Sequence, residues 1–149
     1  MLSTSVDTAA HREEIDMQYA MTTAVDAPFA ETLAATREAL ADQGFGVLTE
    51  IDLAATLKAK VDADIEPHVI LGACRPQLAE QAVTREASIG LLLPCNVVVR
   101  ADGDQRTVVE ALDPDTMVGV TENEQLQDVA REARTRLDAA LTALPTRVG

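Results

Sequence analysis

Hydrophobic positions change period several times along the chain, and each change marks an element. Ile15, Met17, Tyr19 and Met21 alternate with Asp16, Gln18, Ala20 and Thr22, the period-two pattern of a half-buried strand. Asp26 then offers an N-cap, Pro28 suits a first turn, and Phe29, Leu33 and Leu40 recur at helical spacing. Gly44 stands where a C-terminal cap glycine is expected. Phe45, Val47, Thr49 and Ile51 alternate again as a second strand, and Asp52 can cap a short helix carrying Leu53, Leu57 and Val61.

The densest apolar runs lie between His68 and Arg100. His68 to Ala73 reads as a third strand. Pro76 opens a helix with Leu78, Ala82 and Val83 turned inward, ending before Gly90. Leu91-Leu92-Leu93-Pro94 runs into Cys95 and Asn96, and Pro94 interrupts the run because it cannot donate to a ladder. Val97 to Arg100 continues as strand. Asp102-Gly103 signals a hairpin, and Thr107 to Leu112 returns. Thr121 and Glu124 form a capping box. The stripe behind it, Leu126, Val129, Ala133, Leu137, Ala140, Leu141 and Leu144, ends at Pro145.

These elements predict an α+β fold: a two-layer sandwich, with a mixed or mainly antiparallel sheet, helices on one face and a C-terminal helix. Residues 1–13 lack periodicity and read as a tail containing His11. Residues 14–144 read as one domain, with the C-terminal helix over about 121–144.

Composition removes several functions. The 149 residues hold 25 acidic and 12 basic side chains, a net charge of −13. Phosphate binding needs concentrated Lys and Arg, so no nucleic-acid partner is expected. Tyr19, Phe29 and Phe45 are the only aromatics, too few for a base-stacking platform. No segment approaches the roughly 20 apolar residues of a membrane helix. The N-terminus lacks the basic-then-apolar order of a secretory signal, and with two cysteines this points to the cytoplasm and free thiols.

The candidate chemistry is sparse. Gly44-Phe45-Gly46 follows a helix and precedes a strand, the reverse of a dinucleotide fingerprint. Asp62, Asp64 and Glu66 alternate like a calcium loop, but Pro67 takes the place an EF-hand gives to glycine. Neither a hydrolase triad nor a phosphate loop is visible, so no catalytic residue is assigned. Cys74 stands beside Arg75 and before the helix opened by Pro76, where helix dipole and guanidinium would favour a thiolate. Cys95 follows Pro94, and the strands next to the two cysteines are natural neighbours, so the sulfurs are expected to approach each other. Two thiols fall short of the four ligands of a structural zinc site. His68 does not complete one, because six strand residues set it roughly 20 Å from Cys74. No metal is assigned, and the cofactor stays open.

The segments GFGVLTEID (Gly44 to Asp52), HVILGACRP (His68 to Pro76) and IGLLLPCNVVVR (Ile89 to Arg100), with Leu112-Asp113-Pro114 and Met117, resemble the domain-of-unknown-function family 302 over about residues 15 to 120. Arg75 departs from the Asn usual between Cys and Pro in that family. The resemblance implies a two-layer domain that tends to dimerise, and no established activity. It also implies that Cys74, Pro76, Pro94, Cys95 and Asn96 form one site, to which Arg75 is added as a ligand-binding candidate by its own charge, which favours an anion. Three readings follow: a thiol module binding a small ligand, a sulfur species or a thiophilic metal; a structural or interaction homodimer whose cysteines are core residues; and, last, an enzyme.

Overall fold

The computed structural model describes residues 19–148. Ile15 and Met17 of the expected first strand, and the tail with His11, lie outside them. Strand β1 covers Ala20–Val25 and is followed by helix α1, Phe29–Asp42. Strand β2 is Gly46–Asp52, helix α2 is Leu53–Val61, strand β3 is His68–Cys74 and helix α3 is Pro76–Arg85. A 3-10 turn over Ala87–Leu92 leads to β4, Cys95–Ala101, and β5, Thr107–Leu112. Helix α4 is Asp115–Thr121, a 3-10 turn spans Glu124–Leu126, and helix α5 is Gln127–Val148.

The five described strands form one antiparallel sheet in the order β1-β5-β4-β3-β2. The fold is α+β, as the alternating patterns predict. Side chains alternate across each strand, so one sheet face collects Met21, Val69, Leu71, Val97, Val99 and Val109. Helices α1 and α5 cover that face with Ala35, Ala39, Leu40, Leu137, Ala140 and Leu144. The many alanines allow close helix approach in a core almost without aromatics. A second cluster joins Leu78 and Ala82 of α3 to Ile89, Met117, Leu126, Val129 and Ala133.

Local differences have local causes. Helix α1 starts after Pro28 rather than Asp26, and buried Thr32 and Thr36 donate their hydroxyls to Pro28 O and Thr32 O, at 3.0 and 2.7 Å. Asp52 caps α2 as expected, accepting from Ala55 N at 2.9 Å. Val83 is 48% exposed, because α3 ends at Arg85 and presents only Leu78 and Ala82 as buried residues. The Thr121–Glu124 capping box does not form. Thr121 ends a short helix that the pattern missed, and Asn123 makes the cap instead, accepting from Gln125 N at 2.9 Å. Pro145 lies inside α5, which runs on to Val148. No described helix is long and apolar enough to cross a membrane.

Candidate functional site

The end of β3 and the start of β4 carry the residues singled out from sequence. The ladder sets Ala73 opposite Cys95 and Gly72 opposite Asn96. Ala73 and Cys95 therefore share the helix-covered face, and Cys74, one residue on at the exit of β3, pairs with Gly46 of β2 instead of with β4. The two cysteines are free thiols and are not close, so the expected approach of the sulfurs does not occur. The offset of a single residue in register decides this, and spacing in sequence cannot reveal it.

Cys95 stands in an apolar setting. A cavity of about 20 Å³, room for roughly one water, is walled by Cys95 with Phe45, Leu78, Ala82, Leu93 and Met117; Ala73, Cys74 and Arg75 complete it along the exit of β3. Burial, with a further contribution from Cys74, pushes the Cys95 thiol up to about 11. Burial also pushes Cys74 up. Arg75 is the N-cap of α3, so Cys74 precedes the cap by one residue, in keeping with its place before the helix opened by Pro76. Both thiols are protonated at neutral pH, a poor state for nucleophilic work.

Arg75 lines the same cavity. Its Nη1 donates to Gln77 Oε1 at 3.2 Å, while its Nε is buried without a partner. The side chain lies over Gly44, which has a φ of 85° and so takes the C-terminal glycine role read from sequence. Pro76 occupies the first position of α3.

The opposite sheet face holds Gly72, Pro94 and Asn96 at one end. Thr49 and Pro94 close over Gly72, which accounts for a glycine there. In the next row Ile51, Ile70 and Val98 stand in register across β2, β3 and β4. None of the three belongs to a described core cluster, and Ile51 is 46% exposed. At the far end His68 faces Arg100, whose Nε donates to Glu110 Oε1 at 2.9 Å. His68 and Cys74 thus mark opposite ends of β3, as the strand length requires. Among the described residues no group of three or more His, Cys, Asp or Glu could hold a metal ion. Lys58 fills the acidic loop, pairing with Asp62 and Asp64 at 2.8 and 3.1 Å.

Sequence reasoning missed this open face. The run of β3 does not alternate, and Ile70 is as apolar as its inward neighbours, so the pattern does not separate the two faces.

These features define an antiparallel α+β domain with helices on one sheet face and an apolar row on the other. The chain belongs to the family described as domain of unknown function DUF302, whose model matches residues 21–144. It is similar to the crystal structure of an uncharacterized conserved DUF302 protein from Bacillus stearothermophilus, at 30% identity and a TM-score of 0.76, covering 87% of this chain and 98% of that one. No curated protein matches the chain.

Proposed function

We propose that this domain works by association, pairing with a second copy of itself through the open sheet face. The observation that supports this reading is the row Ile51, Ile70 and Val98, in register on a face that no described core cluster uses. Five strands about 4.8 Å apart and roughly 20 Å long offer roughly 500 Å² per copy. Two such faces together approach the ~1,000 Å² of a specific interface. Edge-to-edge pairing through β2 fits less well. A bulge between Val47 and Thr49 interrupts that edge, and a two-fold axis at Ile51 would set Glu50 of one copy against Asp52 of the other. The test is sedimentation velocity on the full chain. A dimer that Ile51→Lys and Val98→Lys convert to folded monomers supports the reading; a monomer at every concentration overturns it.

A second reading keeps the small-ligand site near Cys95. Arg75 favours it, since it lines the apolar cavity and has a buried Nε without a partner. The protonated state of both thiols argues for a neutral ligand rather than a nucleophilic reaction. Native mass spectrometry of the purified chain tests it: a retained small molecule that Cys95→Ala releases would support it.

A further inference from the structure

We propose that His68 makes pairing of the open face pH-dependent, with a dimer near pH 7.5 that loosens in acid as His68 takes up a proton. The inference rests on the association reading above. His68 lies directly across the ladder from Arg100, in the row next to Ile70 and Val98. Arg100 has a single carboxylate partner on this face, Glu110, already engaged through its Nε. A protonated His68 would add a second cation beside that guanidinium without adding an anion.

The other charged groups packed near this end are occupied. Asp52 caps α2, Lys58 is held by Asp62 and Asp64, and Glu66 accepts from Gly103 N at 2.8 Å. Asp102 pairs with Arg106 in the β4–β5 hairpin. Lys60 of α2 carries a further positive charge. Across β5 and β1 the row continues through Val108 and Ala24, which carry no charge. Burial already holds the His68 imidazole below its usual range, helped by Arg100 and partly opposed by Glu110. Covering the face with a second copy removes more water and favours the neutral ring further. The dimer then binds fewer protons than two monomers, so acid favours the monomers.

The test uses the full chain, wild type and His68→Gln, in sedimentation equilibrium from pH 5.5 to 8, with circular dichroism to confirm folding. His11 is kept in both proteins, which separates its titration from that of His68. The expected result is a wild-type dissociation constant about tenfold weaker at pH 5.5 than at pH 7.5, and a flat profile for His68→Gln. A wild-type dimer insensitive to pH overturns the inference and leaves the association reading standing. Equal weakening in both proteins assigns the effect to other groups and also overturns it. A monomer at every pH removes both.

Discussion

Pro94 packs into the space that a side chain on Gly72 would need. A Cβ built on Gly72 would lie 2.7 Å from Pro94 Cγ and 2.1 Å from Thr49 Oγ1. The GAC and LLPCN segments therefore fit each other as packing partners across β3 and β4, and their joint occurrence does not by itself require a ligand.

Gly72→Ala follows directly. Thr49 can rotate, but Pro94 is a rigid ring, so the strand ends must separate. The expected cost is about 1–3 kcal/mol, the usual penalty of an overpacked site. Urea denaturation checks it. Gly72→Ala combined with Thr49→Ala should recover only part of the loss, because the contact with Pro94 persists.

Cys95 gives a stability effect with a definite sign. Its folded thiol titrates near 11 against an ordinary value of 9.0. The folded chain keeps this proton while the unfolded chain loses it. Stability from this group is therefore intact below pH 9 and falls between about pH 9 and 11. The loss should be on the order of 2 kcal/mol. Cys95→Ala should abolish that part of the decline while costing stability at pH 7 through lost packing. Denaturation midpoints of both proteins at pH 7, 9 and 10.5 separate the two effects. An equal alkaline decline in both would remove Cys95 as its source.

Much of the fold was legible because its signals are local. Strands β2, β3 and β5, the Asp52 cap and the glycine after α1 each depend on neighbours a few residues away. The positions of the cysteines are a different kind of fact. Whether Cys74 or Ala73 faces Cys95 depends on a one-residue choice of register between β3 and β4, set by the packing of the whole sheet. The open face was illegible for the same reason: Ile70 and Leu71 look alike in sequence, and only the covering helices distinguish them. Arg75 was read as a promoter of the Cys74 thiolate, yet burial raises that thiol.

The failed capping box makes a clear prediction about the α3–α5 junction. Asn123 uses both ends of its amide. Oδ1 accepts from Gln125 N, while Nδ2 donates to Arg85 O at 3.2 Å and Glu86 Oε1 at 2.9 Å. The side chain thus caps one turn and ties it to the end of α3. Asn123→Ala should cost about 1–2 kcal/mol, by loss of the cap and of a donor to a backbone carbonyl. Glu124→Ala, at the other position of the motif, should change stability by less than about 0.5 kcal/mol. Paired thermal melts check the contrast, and a larger effect at Glu124 would restore the capping-box reading.

Net charge supplies the last prediction. Each chain carries −13, so two copies repel as they approach even where their faces are apolar. Salt shortens the reach of that repulsion, from about 30 Å at 0.01 M to about 3 Å at 1 M. The contact itself gains little from charge, because the row Ile51, Ile70 and Val98 is apolar and Glu110, which continues it on β5, is already paired with Arg100. Association should therefore strengthen with salt, by roughly tenfold between 0.01 and 0.5 M sodium chloride. An interface built on ion pairs between copies would weaken instead. Sedimentation equilibrium across that range distinguishes the signs. Weakening with added salt would place the contact away from the apolar row, at a surface where opposite charges meet.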